Sequence, residues 1–242
     1  GEAGQGFMNI AIAAAGRLKG GAAKVSVISS ALFGSISGSA SANVASTGMV
    51  TLPTMIKLGY SKKIAGAVEA VASTGGQIMP PLMGAGAFVM VELTGIPYSQ
   101  IIIAAFIPAL LYFFAIWLGV NRYAELYDLK PYKVEMLPQI STVIKTALFF
   151  LIPFSVLLAF MYSGYTPQFS AAIAILSGLL LLFFDINLNF SWKTTKTRIV
   201  NASIFAGRQV SIIASIILCA SLIVGVLGIT GLGIKVTSSI IT

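Results

Sequence analysis

Uncharged apolar runs at 101–120, 146–163 and 209–234 come close to or exceed the roughly 20 residues a helix needs to cross a bilayer, and they predict three transmembrane helices. A shorter run at 168–185, with Gly and Ser inside it and Asp185 at its end, predicts a fourth span in a slightly thinned setting. The region 24–92 breaks this pattern. An apolar piece at 24–33 runs into GSISGSASANVAS at 34–46, and a second apolar piece then leads to Lys57. Each piece is too short to span alone. Together they predict a re-entrant hairpin of two half-helices over 24–57, with its tip at 37–43. The segment 61–92 is long enough to cross, but Gly75, Gly76, Pro80 and Pro81 interrupt it. A proline inside a helix removes a donor and clashes with the preceding turn, so this reads as one span built from two half-helices, the second opened by the prolines.

Charge orders these elements. Lys and Arg in short loops favour the cytoplasmic side. Lys24, Lys57, Lys62 and Lys63 mark one face, the loops at 94–100 and 164–168 carry no basic residue, and Arg122, Lys130, Lys133, Lys145, Lys193, Lys196, Arg198 and Arg208 follow the intervening spans. Every basic cluster falls on the cytoplasmic face if 24–57 is re-entrant. A full span there would put Lys57, Lys62 and Lys63 opposite Lys24. The remaining segments, 1–23, 121–143 and 186–208, read as interfacial stretches along the membrane surface, with polar linkers as the plainer alternative.

Composition narrows the chemistry. Of 242 residues 57% are hydrophobic and 9% charged, with a mean hydropathy of +0.95, which marks an integral membrane protein. The net charge is +8, but the 15 Lys and Arg are scattered rather than gathered into a stripe, which argues against nucleic-acid binding. One Cys, Cys219, and no His exclude disulfide frameworks, Cys/His zinc sites and Ser–His–Asp triads, so the chain is not read as an enzyme and no cofactor is expected beyond a coupling ion. The opening GEAGQGF has neither a Met nor a basic n-region, and the chain is read as a fragment or processed piece.

Gly, Ser and Asn at such density are expected where loosened backbone lines a polar cavity, because every freed N–H or C=O in hydrocarbon needs a partner. Two such breaks close together are the mark of a transporter in which half-helix ends and freed carbonyls bind solute and ion. The candidate substrate-binding residues are Ser39, Ser41, Asn43, Gly76 and Gln77. The candidate Na⁺ ligands are Ser37, Ser39, Asn43, Ser73 and Gly75, partly through backbone carbonyls. A half-helix starting near Ala42 presents unpaired N–H groups suited to a carboxylate, while Ser41 or Asn43 could instead be its N-cap. Glu69 is read as snorkelling to, or pairing near, the cytoplasmic face, with proton relay or a bias on cation binding as the functional alternative. GVLGITGLG at 225–233 reads as a hinge or a helix-packing face.

The stretch SGSASANVASTGMVTLPTMIKLGY at 37–60 and VEAVASTGGQIMPPLMGAGAF at 68–88 resemble the large membrane subunit of TRAP transporters, the tripartite ATP-independent periplasmic systems. The wording is most similar to the fused permeases of the TAXI type. The resemblance implies an all-α, elevator-type secondary transporter of the bacterial or archaeal inner membrane. It further implies a Na⁺ gradient driving uptake of an organic acid, a periplasmic solute-binding protein of the TAXI type that delivers it, and a small membrane subunit, separate or fused. It implies two inverted repeats as well, of which this chain carries one hairpin and one site half, with 209–234 leading toward the second. A channel is the first alternative, although no Lys or Arg lies between Lys24 and Lys57 to gate it. A structural membrane subunit without a solute site is the second.

Overall fold

Small side chains at 34–46 do not unwind the backbone; they let helices approach. The computed structural model describes residues 2–132, 137–183 and 192–231, and every regular element among them is a helix. These are α1 (Glu2–Ala15), α2 (Gly21–Ser37), α3 (Ala40–Lys57), α4 (Lys62–Gly75), α5 (Gly86–Thr94), α6 (Tyr98–Leu126), α7 (Ile140–Tyr162), α8 (Pro167–Leu181) and α9 (Trp192–Thr230).

α2 and α3 form a helical hairpin whose link is Gly38 and Ser39 alone, so the stretch expected to be open from 34 to 46 is helical on both sides of that pair. Gly38, at φ +58°, closes α2 by donating its N–H to the Gly34 carbonyl. A positive φ costs glycine little, which is why the turn can be so tight. Ser39 is the N-cap of α3, its side chain accepting from the Ala42 N–H; neither Ser41 nor Asn43 caps, and the helix begins at Ala40 rather than near Ala42. The arms hold 17 and 18 residues, about 26 Å each at 1.5 Å per residue.

The second interruption is longer. α4 stops at Gly75, and α5 starts at Gly86 rather than at Pro80 or Pro81, so residues 76–85 form a non-helical segment. Beyond it, α6 extends to Leu126 and takes in residues expected to lie at the interface. α9 likewise runs unbroken from Trp192 to Thr230, joining residues expected as an interfacial stretch to residues expected as a span. It also runs through most of the supposed hinge at 225–233 and ends at Thr230, just before Gly231, which has a φ of +61°. Lys133, Asp185, 186–191 and 232–234, which figure in the expected interfacial stretches and spans, lie outside the described residues.

α2, α3 and α4 pack pairwise, and α6 packs on α2 and α4; α1 joins α2 to α7, and α7 pairs with α8. The two ends of this group differ. At one end Tyr60, just after α3, donates to the Gly20 carbonyl at 3.1 Å and stacks on Tyr123 of α6, while Gly20 donates to the Leu129 carbonyl. Burial, and then Tyr123 beside it, pushes the Tyr60 phenol above its ordinary range, which keeps the donating proton in place. At the other end Tyr98, opening α6, donates to the carbonyls of Pro81 (2.9 Å) and Leu82 (3.0 Å). The hairpin link meets the interruption there.

α6 and α7 are, among the described residues, the two helices long and apolar enough to cross a membrane. On α6 a stripe of Ile103, Ile107, Leu111, Phe114 and Leu118 is 52–65% exposed, while Ala109, Phe113 and Val120 are buried. Leaving five such side chains in water would forgo about 1.5–3 kcal/mol apiece, so this outer face is built for an apolar surrounding.

Candidate functional site

Three polar stripes meet where α2, α3 and α4 pack. On α2 they are Ser26 and Ser30, on α3 Asn43, Thr47 and Thr51, and on α4 Glu69 and Ser73. Within each helix the spacing is i, i+4, which stacks the side chains on one face. All seven are buried.

Glu69 is the centre of this cluster. It is 1% exposed, and its Oε1 accepts from Thr47 Oγ1 at 2.6 Å and Ser73 Oγ at 3.4 Å. Its Oε2 accepts from Ser26 Oγ at 2.8 Å and from Thr51 Oγ1. The expectation that Glu69 snorkels or pairs near the cytoplasmic face is thereby corrected. An acid a turn or two from Lys62 and Lys63 reads as a surface residue only while the neighbouring hydroxyls stay out of view; four of them converge here and replace water. A buried carboxylate needs such donors.

Nearer the hairpin link, Asn43 is fully buried and donates Nδ2 to the carbonyls of Ser30 (2.9 Å) and Ser73 (3.4 Å). One amide thus ties both hairpin arms to the end of α4. Above it the backbones of Gly34 and Gly76 touch: a Cβ on Gly76 would lie 2.7 Å from Gly34 Cα and 2.8 Å from Asn43 Nδ2. Two glycines are required for that approach. Leu82 donates its N–H to the Ser35 carbonyl at 3.1 Å, Gly84 donates to the Gln77 carbonyl at 2.7 Å, and a Cβ on Gly38 would strike the Met83 carbonyl.

The structure therefore sorts the candidate residues into two groups. Asn43, Ser73 and Gly76 are brought together in the buried layer. Ser37, Ser39 and Ser41 gather at the link, where Ser39 Oγ lies 3.2 Å from Ser41 Oγ and the Ser39 N–H reaches Ser37 Oγ at 3.5 Å. Ser41 and Gln77 are exposed, Ser37 and Ser39 half-buried. Gly75 faces a third way: a Cβ there would meet the rings of Tyr112 and Phe113 on α6, and its carbonyl accepts from the Ile78 N–H. The Ser73 carbonyl is similarly occupied, by the Gly76 N–H and Asn43 Nδ2. Sequence reasoning missed Ser26, Ser30, Thr47 and Thr51; the recoverable signal was their four-residue spacing within otherwise apolar segments. Among the described residues no three His, Cys, Asp or Glu side chains group together as metal ligands, and the carboxylate of this cluster, Glu69, is set among neutral oxygens.

Comparison with known proteins agrees with the resemblance to the large membrane subunit of TRAP transporters. A 28% identity over 172 residues links the chain to the C4-dicarboxylate TRAP transporter large permease protein DctM of Vibrio cholerae, covering 69% of this chain and 37% of that protein. The ectoine/5-hydroxyectoine TRAP transporter large permease protein UehC of Ruegeria pomeroyi is 27% identical over 241 residues, 94% of this chain and 55% of that one. The isethionate TRAP transporter permease protein DctMQ of Oleidesulfovibrio alaskensis is 37% identical over 75 residues, 31% of this chain and 12% of that one. The chain spans about half, or less, of the length of these curated relatives, all of them transport proteins rather than enzymes. Residues 1–242 match the family described as "Tripartite ATP-independent periplasmic transporter, DctM component", and the chain belongs to that family.

Proposed function

We propose that this chain provides one half of the solute and ion site of a Na⁺-coupled secondary transporter in the inner membrane. Its cargo is an organic acid handed over by a periplasmic binding protein of the TAXI type. A small membrane subunit, separate or fused, completes the system, and the hairpin is re-entrant and travels with its cargo in an elevator motion. The observation that carries this reading is the meeting of the hairpin link with the non-helical segment 76–85 through Gly34, Gly76, Ser35 and Leu82. Two interruptions so joined present hydroxyls, an amide and helix-end N–H groups at one place. A carboxylate fits the start of α3, where the N–H groups of Ala40 and Ser41 have no partner within the helix by position and the dipole is positive. Arms of about 26 Å fall short of the roughly 30 Å hydrocarbon core, in keeping with a hairpin that enters and leaves on one side.

The structure also selects the residues for the test. Asn43 is a buried fastener, so its loss would confound binding with folding, whereas Ser37, Ser41 and Gln77 can be changed with little effect on packing. The parent permease, reconstituted in liposomes with its binding protein, is assayed for uptake of radiolabelled organic acids with and without an inward Na⁺ gradient. Ser37→Ala, Ser41→Ala and Gln77→Ala, singly and together, are expected to lower the Na⁺-driven component at least tenfold while the protein stays folded. Uptake indifferent to sodium and to the triple substitution would leave the hairpin a packing element and remove this reading.

A further inference from the structure

We propose that the corner where the turns 16–20, 58–61 and 127–132 meet binds the phosphate headgroup of an anionic membrane lipid. The three turns are fastened to one another. Gly20 donates its N–H to the Leu129 carbonyl at 3.4 Å, Tyr132 donates its N–H to the Gly16 carbonyl at 3.0 Å, and the Tyr60 hydroxyl reaches the Gly20 carbonyl at 3.1 Å. A Cβ on Gly59 would lie 3.3 Å from the Leu129 side chain. What the turns carry outward is basic: Arg17 and Lys19 from the first, Lys57, Lys62 and Lys63 flanking the second, and Lys130 from the third, all exposed.

The corner lies at headgroup depth. The exposed apolar stripe on α6 ends at Leu118, and Tyr60 of the corner stacks on Tyr123 with ring centroids 5.9 Å apart. Leu118 and Tyr123 are separated along α6 by about 8 Å at 1.5 Å per residue. A headgroup layer is roughly 5–8 Å thick on each side of the hydrocarbon, so these basic groups sit where lipid phosphates sit. Leu126 and Tyr127, 65% and 64% exposed, stand beside them and offer the apolar and amphipathic contacts of a membrane interface.

Nearby acids do not use up this charge. Asp128 pairs with Lys19 at 2.7 Å and feels Lys130 at longer range, while Glu125 is engaged by Asn121 and Arg122 of its own helix. Among the described residues Arg17, Lys57, Lys62 and Lys63 have no carboxylate partner. Lys62 and Lys63 also open α4, where Ser61 takes the N–H groups of Ile64 and Ala65 and leaves their own two without a partner within the helix by position. A phosphate seated there meets two ammonium groups, two N–H groups and the positive end of the helix dipole. A zwitterionic lipid brings a cation of its own into this field and gains less, whereas an anionic lipid balances it. Because the turns belong to the entry of α2, the joint between the hairpin and α4, and the end of α6, a lipid held by all three braces the base of the hairpin.

The test is the thermal stability of the purified parent permease in detergent, titrated with phosphatidylglycerol or with phosphatidylcholine of the same acyl chains. It does not depend on sodium-driven uptake, so it stands or falls apart from the transport reading. Half-maximal stabilisation is expected at a much lower concentration of phosphatidylglycerol than of phosphatidylcholine. Lys57→Gln, Lys62→Gln and Lys63→Gln together should raise that phosphatidylglycerol concentration by roughly tenfold or more, at about fivefold per basic residue. Lys196→Gln with Arg208→Gln, exposed on α9, should leave it unchanged. No preference for the anionic lipid, a preference that survives the triple substitution, or one that the α9 pair removes equally would overturn the proposal. Glycerol 3-phosphate alone giving the full shift would overturn it too, by making the corner a site for a free phosphate. Should the triple variant not fold, Arg17→Gln with Lys130→Gln decides by the same criterion.

Discussion

Alanine at Gly76 tests the joint between hairpin and break most directly. The added methyl would sit 2.7 Å from Gly34 Cα, 2.8 Å from Asn43 Nδ2 and 3.1 Å from the Ser73 carbonyl. Two of these neighbours are backbone, and the third is held by two hydrogen bonds, so none can give way cheaply. Overpacking of this kind costs about 1–3 kcal/mol, and displacing the Asn43 amide adds about 1 kcal/mol, for an expected loss of about 2–4 kcal/mol. Gly34→Ala attacks the same contact from the other side and should cost a similar amount. Once either methyl has pushed the backbones apart, the second enters space already opened. The double substitution should therefore fall short of the sum by about 1 kcal/mol or more. Gly66 is the control: it lies inside α4, and a methyl added there would have nothing within 4 Å, so Gly66→Ala should be neutral or stabilise by about 0.5–1 kcal/mol. Thermal or detergent-induced unfolding of the purified parent permease reads all four. Gly76→Ala as stable as Gly66→Ala, or strict additivity of the pair, would refute the close approach.

Three further outcomes are expected. Asn43→Ala leaves the Ser30 and Ser73 carbonyls without their side-chain donor and should destabilise by about 2–4 kcal/mol in the same unfolding assay; a loss under about 1 kcal/mol would mean the amide does not bridge α2 and α4. Ser61→Ala removes the N-cap of α4, which accepts from the Ile64 N–H at 3.3 Å, and should cost about 1 kcal/mol, with Ser61→Asp restoring it. Asp128, outside the spans, accepts from Lys19 at 2.7 Å, and that bond and charge hold its carboxyl below the usual range. Its folded value is depressed, so its contribution is present above the unfolded value of about 3.9 and is lost as pH falls through the folded one. Asp128→Asn, which tolerates the φ of +48° there, should flatten that acid limb of the stability profile by lowering stability slightly at neutral pH, with variant and wild type converging once pH falls below the folded value.

How much of this was legible in the sequence follows from the range of each interaction. The hairpin, the two interruptions and the long apolar helices α6 and α7 come from composition over ten to twenty neighbouring residues, which run length and proline placement reveal. The extent of opening did not, because Ser, Ala and Gly serve equally in a loop and in a helix pressed against another backbone. Only the partner, Gly76 across from Gly34, decides which. The start of α5 was misplaced because Pro80 and Pro81 suit a first helical turn in isolation, yet here Leu82 bonds to Ser35 and Tyr98 takes the Pro81 and Leu82 carbonyls. Glu69 was misread for a related reason: its partners lie 18, 22 and 43 residues away in the chain, and one turn away in the helix.

Those long-range partners also explain how one hairpin can be firmly held yet polar at its end. Lipid supplies no hydrophobic force between helices, so α2, α3 and α4 must be joined by close packing and hydrogen bonds. Gly34 against Gly76 supplies the first, and Glu69, Asn43 and their hydroxyl partners supply the second. Both lie in the buried layer, whereas Ser41 and Gln77 are exposed at the link and the break. A polar group that fastens helices has its bonding capacity taken up by protein; one that receives a solute must have capacity to spare. The same residue types, Ser above all, therefore divide by burial into fasteners and candidate ligands, and burial rather than residue type is the criterion by which binding residues of this half-site should be sought.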